Sequence, residues 1–289
     1  MQEFDFIKPN SLGEVVNALE ETGGKILAGG TDIIPRMRNN LFSASVLVDA
    51  SNIFDLSFIE EVDDQIAIGA LTTHQEIVNS QLLQSANPAL VAAAESIGCR
   101  QTRNRGTLGG NIANASPAAD TIPPLLAFDA RIQLLRKGGE RSVPLEEFLV
   151  GPGETSLESG ELIHSITFSR LSGAWGAAFQ KMGKRKGMAI AVVSVAVVVV
   201  LNPKGMVQDA RIALGSVAPT VVRSPRAEEK LIGTEAGLGA IQDAANAVVE
   251  DISPISDVRS TAEYRQHAAR VLTHRALEEA IEQAKERLS

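Results

Sequence analysis

Residues 188–201 form the longest apolar run of the chain, fourteen positions of which seven are valine. A membrane helix needs at least about 18 such residues, so the run is too short to span a bilayer. Valine is branched at Cβ and favours the pleated strand over the helix. The run therefore reads as a buried strand, which requires a chain large enough to bury it. At 289 residues with 44% hydrophobic content the chain has that capacity, and its length suggests about two domains.

The charge balance excludes several classes of partner. Lys and Arg number 27 against 35 Asp and Glu, a net charge of −8, so no basic surface marks the chain for nucleic acid or an anionic membrane. Trp175 and Tyr264 are each unique, leaving no aromatic stripe for stacking single-stranded bases. The amino-terminal segment MQEFDFIKPN lacks the basic head and apolar stretch of an export signal, and a cytoplasmic protein is expected. Cys99 is the single cysteine. It cannot form an internal disulfide, a zinc tetrad or the thiolate set of an iron–sulfur cluster, so any metal centre is expected on another chain.

Hydrophobic periodicity and turn residues outline the organisation. Ser11 and Glu14 make an S-x-x-E capping box before Leu12, Val15, Val16 and Leu19, and Gly23-Gly24 ends that helix. Strands are expected at Ile26–Ala28, Val46–Val48 and Ile66–Ala70, and helices at Thr73–Asn79 and Pro88–Ile97. Arg100–Ala119 shows no clear period and reads as a long functional loop. Pro123-Pro124 opens a short helix, followed by strands near Arg131–Leu135 and Glu161–Phe168. A domain boundary is expected near 171, after the turn-rich stretch 151–160. Beyond it come three strands in series (Trp175–Met182, Ala189–Leu201, Val207–Leu214) and helices starting near Ser224, Ala236 and Ser260, an α+β order.

Two segments carry chemistry. The first is Ile26-Leu27-Ala28-Gly29-Gly30-Thr31-Asp32-Ile33, where paired glycines directly follow a strand. Without side chains there, backbone amides can approach a pyrophosphate as an anion-binding nest, with the Thr31 hydroxyl as a further donor. The bland alternative is an ordinary turn with Asp32 as a helix cap. The second, Thr107-Leu108-Gly109-Gly110-Asn111, repeats the hydroxyl and glycine pair inside the long loop. Two cradles fit one diphosphate, and neither matches a Walker loop or G-x-G-x-x-G.

ILAGGTDI (26–33) and TLGGNIANASPAAD (107–120) resemble the two FAD-binding signatures of the flavoprotein subunit of molybdenum hydroxylases. That family includes the carbon monoxide dehydrogenase medium chain and the flavin segment of xanthine dehydrogenase. GSVAPTVVRSPRAEEKLIG (215–233) and residues 254–280 resemble it too, so the similarity spans nearly the whole chain. The resemblance implies an α+β architecture: a two-part FAD-binding domain of the PCMH/vanillyl-alcohol-oxidase type over 1–170, with subdomains of about 1–55 and 56–170. A carboxyl-terminal domain with a three-stranded antiparallel sheet and helices follows over 171–289. It also implies FAD whose pyrophosphate lies between Ile26–Ile33 and Thr107–Asn111; the two glycine cradles, with no plausible histidine attachment site beside them, point to noncovalent binding. Asp120 takes flavin or ribityl hydroxyls, and it can also cap the helix entered through Pro123. Ile97 and Ile163 fall at apolar and backbone contacts to the cofactor, although alone they read as core. Lys181, in a pattern resembling F-x-K, falls near the flavin, with Gln180 as the alternative and a solvated basic loop as the bland reading.

By the same resemblance the chain is an electron-transfer oxidoreductase subunit with no catalytic residue and no metal ligand of its own. Electrons pass from 2Fe–2S clusters on a small partner, fed by a molybdopterin large subunit, through FAD to NAD, quinone, oxygen or another acceptor. The assembly implied is a dimer of heterotrimers. One branch, 4-hydroxybenzoyl-CoA reductase, carries a further 4Fe–4S cluster in its flavin subunit, which Cys99 alone cannot ligate. Two rivals remain at this stage: a self-sufficient FAD oxidoreductase with its own substrate pocket, and an FAD-free scaffold. Arg100, Arg103 and Arg105 read equally as phosphate partners or a solvated loop. The four histidines show no ligand spacing and read as structural, and no G-x-S-x-G elbow is present.

Overall fold

The computed structural model describes residues 3–288. Met1 and Gln2, at the head of the segment read for an export signal, and Ser289 lie outside the described residues. The first unit runs β1 (Asp5–Ile7), α1 (Leu12–Thr22), β2 (Lys25–Leu27), α2 (Ile33–Arg38) and β3 (Val46–Asp49). Its strands form a parallel sheet in the order β1-β3-β2. Helix α1 lays Val15, Val16 and Leu19 on a small core with Val48, Ile53 and Leu56. Ser11 caps it as expected, but the return arm differs: Glu14 accepts from the Asn10 amide at 2.8 Å, not from Ser11.

The second unit continues with β4 (Ile59–Val62), β5 (Gln65–Gly69), α3 (His74–Asn79), α4 (Gln81–Ala86), α5 (Pro88–Glu95), α6 (Arg100–Arg103), α7 (Leu108–Ala113) and α8 (Ile122–Ala127). Then follow β6 (Arg131–Arg136), β7 (Gly139–Pro144), α9 (Leu145–Phe148), β8 (Leu149–Gly151), β9 (Glu154–Thr155) and β10 (Leu162–Ser169). An antiparallel sheet ordered β4-β5-β10-β6-β7 forms its floor. The stretch 100–119, read from sequence as loop, contains α6 and α7. Helices of four and six residues complete too few turns to produce a visible hydrophobic period.

The last unit has β11 (Ala174–Gly183), β12 (Ala191–Leu201), β13 (Val207–Gly215) and β14 (Val222–Arg223), then α10 (Pro225–Leu231), α11 (Leu238–Ala247) and α12 (Ala262–Leu288). The three expected strands form an antiparallel sheet, extended by the two-residue β14 against β13. Strand β12 explains the valine run. Side chains alternate across a strand, so Val193, Val195, Val197 and Val199 pack with Leu272, Leu277 and Ile281 of α12. Ala196 and Val198 point the other way and join Ile112, Ile122, Leu125 and Trp175 in the core of the second unit. Covered on both faces, the strand has no polar side. The α12 backbone approaches so closely that a Cβ on Gly176 would lie 1.9 Å from the Ala280 carbonyl oxygen.

Candidate functional site

The first glycine segment sits just past the end of β2 and the second at the start of α7, and the fold presses them together. A Cβ on Gly29 would lie 1.7 Å from the Arg105 carbonyl oxygen, so the first loop rests on the backbone leading into the second. The Gly106 Cα faces Thr31, with Oγ1 3.4 Å from where a Cβ would be. The second segment is moored from behind. Leu108 and Gly109 amides donate to the Thr72 and Ala70 carbonyls at 2.9 and 2.8 Å, and a Cβ on Gly109 would strike Ala70 Cβ at 2.7 Å. Thr107 caps α7 by accepting from the Gly110 amide at 3.1 Å.

The two members of each pair therefore differ. Gly29 and Gly109 are required by backbone packing. Gly30 has φ +73°, a left-handed conformation that suits glycine, and its Cβ direction meets nothing closer than Ile34 Cγ1 at 3.4 Å. Gly110 is exposed, and a Cβ there meets only the Thr107 hydroxyl, at 2.8 Å. The space beside Gly30 and the open side of Gly110 are where a ligand could approach backbone.

Asp32 stands at the N-cap position of α2 but makes no capping bond; its carboxylate lies 3.5 Å from Arg36. Arg36 in turn donates to Asn114 Oδ1 at 3.0 Å, tying the helix after the first loop to the end of α7. Sequence reasoning missed this clamp, because a contact between residues 78 apart leaves no local signal. Arg36→Ala is expected to weaken cofactor binding about fivefold, the worth of one hydrogen bond that aligns the loops. Flavin titration beside a melting curve would check it, a loss of Tm without loss of affinity assigning Arg36 to stability alone.

Asp120 and Lys181 meet at the centre. Lys181 Nζ lies 2.5 Å from Asp120 Oδ2, and both side chains are 10% exposed. The expected capping role of Asp120 is not realised: α8 begins after Thr121 with no side-chain cap, because the carboxylate turns to the lysine. Its other oxygen, Oδ1, is buried without a partner. Burial pushes the Asp120 carboxyl up to about 6 against the pull of the Lys181 ammonium. Gln180, the alternative to Lys181, instead donates to Glu279 at 2.8 Å.

A cavity of about 640 Å³ opens beside Asp120, whereas Lys181 and both glycine pairs lie outside its lining. From the second unit Ile97, Gly98, Asn111 and Asp120 line it; from the last unit Met188, Ile190, Ile255 and Arg265 do. Asn111 accepts from the Thr121 hydroxyl at 2.7 Å. Arg265 is 4% exposed and donates to the Val192 and Ser216 carbonyls and to Asp257, which fixes the last unit's loop at the rim. Burial alone would raise the Asp257 carboxyl, but the Arg259 and Ser260 amides and the Arg265 guanidinium hold it well below the usual carboxylate range.

The other candidates divide clearly. Ile26, Leu27, Ala28 and Ile33 are half-buried around the first loop, and Leu108 is fully buried beneath the second. Ile163 lies on β10 in the core of the second unit and does not line the cavity. Its neighbour His164 accepts from the Ala70 amide, so that strand supports the second loop from below. Arg103 donates to Gln75 and to the Glu95 and Ile97 carbonyls and is structural, whereas Arg100 and Arg105 are exposed. His74, 3% exposed behind Gly106, is held neutral by burial and then by the Arg103 charge, its pKa lowered to about 4.

The residues present fit FAD. Two touching glycine loops offer backbone to a diphosphate, and the orphaned Asp120 oxygen requires a donor of the kind that ribityl hydroxyls or a flavin N–H supply. Comparison with known proteins agrees. Residues 2–169 match the FAD binding domain in molybdopterin dehydrogenase, and residues 177–280 match the CO dehydrogenase flavoprotein C-terminal domain. The 6-hydroxypseudooxynicotine dehydrogenase complex subunit alpha of Paenarthrobacter nicotinovorans is 34% identical over 98% of this chain and 96% of that one. The xanthine dehydrogenase FAD-binding subunit of Escherichia coli O157:H7 is 32% identical over 96% of this chain and 97% of its own length. A solved structure of carbon monoxide dehydrogenase from Hydrogenophaga pseudoflava, in a form lacking the Mo-pyranopterin moiety of its cofactor, superposes with a TM-score of 0.93 at 34% identity, covering 98% of both chains. The chain belongs to the family of FAD-binding flavoprotein subunits of molybdopterin dehydrogenases.

Proposed function

We propose that this chain is the FAD-carrying electron-transfer subunit of a molybdenum hydroxylase complex. The observation that carries the reading is the buried, unpartnered Oδ1 of Asp120, a residue that pairs with Lys181 and lines a cavity together with Asn111 of the second of two interlocked glycine loops. When bound, FAD would supply the redox chemistry that carries electrons from 2Fe–2S clusters on a small partner to an external acceptor. In this reading Ile26–Ile33 and Thr107–Asn111 close around the pyrophosphate without covalent attachment. Asp120 accepts cofactor hydroxyls, Lys181 presents a cation to the side of the flavin that gains negative charge, and Ile97 excludes water. Ile163 acts from behind, by supporting the second loop.

The substrate bond is broken on a molybdopterin large subunit, and two copies of each of three chains make the complex. The domains divide at 170/171. Acidic charge and a single cysteine support a cytoplasmic assembly.

Acid precipitation of the purified chain is expected to release all yellow colour as FAD. Colour kept in the pellet, or FMN in the supernatant, would contradict noncovalent FAD. The isolated chain should not oxidise an aldehyde, a purine or carbon monoxide, and adding the two metal-bearing partners should restore substrate-dependent flavin reduction. Turnover by the isolated chain would overturn the subunit reading in favour of a self-sufficient oxidoreductase.

A further inference from the structure

The carboxyl end of helix α5 is held by two cations from different parts of the chain. Its last turn exposes carbonyls that have no helical partner and carries the negative end of the helix dipole. Arg103 donates to the Glu95 carbonyl at 3.1 Å and to the Ile97 carbonyl at 3.2 Å. Between them, the Ser96 carbonyl lies 3.3 Å from Lys181 Nζ and the Ser96 hydroxyl oxygen 3.4 Å. That hydroxyl donates its own proton to the Ala93 carbonyl at 2.7 Å, so the oxygen turns a lone pair toward the ammonium. Ser96 thus meets Lys181 only as an acceptor, and its orientation is fixed by the helix rather than by the lysine.

Lysine has a flexible four-carbon stem and would otherwise be a poorly placed charge. Lys181 belongs to β11 of the last unit, whereas Ser96 and Asp120 belong to the second. Asp120 alone could hold the ammonium anywhere on an arc around one oxygen. Ser96, approaching from a second element, reduces that arc to a point, and the same turn sets Ile97 against the cavity.

We propose that Ser96 is a positioning residue, holding the Lys181 ammonium at one place beside the flavin and through it setting the reduction potential of the cofactor. This rests on the FAD reading above. Ser96→Ala removes one acceptor while leaving the backbone carbonyl and Asp120 in place, and Ser96→Thr keeps the hydroxyl. In the FAD-loaded chain, Ser96→Ala is expected to leave FAD affinity within about threefold. At a fixed electrode potential it should lower the ratio of reduced to oxidised flavin about fivefold, the weight of one hydrogen bond. Ser96→Thr should restore most of the ratio. In a Lys181→Gln background, Ser96→Ala should change nothing further.

An unchanged ratio in Ser96→Ala, or an equal drop with and without Lys181, would overturn the proposal. The ¹⁵N signal of the buried Lys181 ammonium in the FAD-free chain separates it from the functional reading. Ser96→Ala should shift or broaden that signal whether or not FAD binds. An unmoved signal defeats the clamp itself, whereas a moved signal in a chain that takes up no FAD defeats only the flavin assignment.

Discussion

Asp120→Ala is expected to destabilise the FAD-free chain by about 3 kcal/mol at pH 7, because it leaves the buried Lys181 ammonium without its counter-ion. The value falls at the low end for a broken buried pair because Ser96 still accepts from the lysine. FAD affinity should fall about 10- to 100-fold, the range for hydrogen bonds to a charged acceptor. Calorimetry and flavin titration would show both losses. Unchanged FAD affinity would confine Asp120 to a structural role.

The same carboxyl gives a pH signature. Its folded pKa of about 6 lies above the unfolded value of 3.8, so its contribution is present below about pH 4 and lost as pH rises through 6. His74 works in the opposite direction. Its folded pKa of about 4 lies below the ordinary 6.5, so the unfolded chain binds the extra proton and stability is lost as pH falls from 6.5 to 4. Each shift corresponds to about 3 kcal/mol, and in the FAD-free wild type the two nearly cancel. Measured against wild type at each pH, Asp120→Asn should become relatively more stable as pH rises from 4 to 6.5. His74→Gln should become relatively less stable. Parallel Tm profiles for the three chains would contradict this assignment.

The second large effect separates the glycines within each pair. Gly29→Ala should disrupt the FAD-free fold as well as cofactor binding, since the added methyl overlaps the Arg105 carbonyl carbon at 2.5 Å and its oxygen at 1.7 Å. Gly109→Ala should do the same against Ala70. Gly30→Val carries the cost of a left-handed backbone, about 1–2 kcal/mol, and sets its Cβ against Ile34 Cγ1 at 3.4 Å and Leu27 Cδ1 at 3.6 Å without overlapping backbone, while its branches crowd the loop that the pyrophosphate reading requires open. It should therefore abolish FAD binding in a chain that still melts cooperatively. Gly30→Val with wild-type FAD affinity would show that the pyrophosphate does not lie there.

Much of this was legible because it is local. Ser11, Thr73 and the Asn87-Pro88 pair each begin a helix with a side-chain bond to its first turn, and the long strands of the last unit show themselves by length and valine content. The glycine pairs were legible as candidate cradles, but not the fact that one glycine of each pair serves packing against another segment. Asp120 and Lys181 were each singled out as candidate cofactor contacts through the family resemblance. Their mutual pairing was not, since 61 residues separate them and no periodicity connects them. The same gap explains the two unmade caps: Asp32 stands at the N-cap of α2 and Asp120 one residue before Thr121, the N-cap of α8, and a neighbouring or distant cation decides where each carboxylate points.

Strand β12 has a consequence for how such a protein can be taken apart. Two sequence modules meet between residues 169 and 177, yet the side chains of this one strand belong alternately to the core before that junction and the core after it. A fragment ending at residue 169 would lose the cover over Ile122 and Leu125, and a fragment beginning at 177 would carry a bare valine face. Neither half is a spare part, and a protease nick in the connecting segment would leave two pieces that stay together until both unfold.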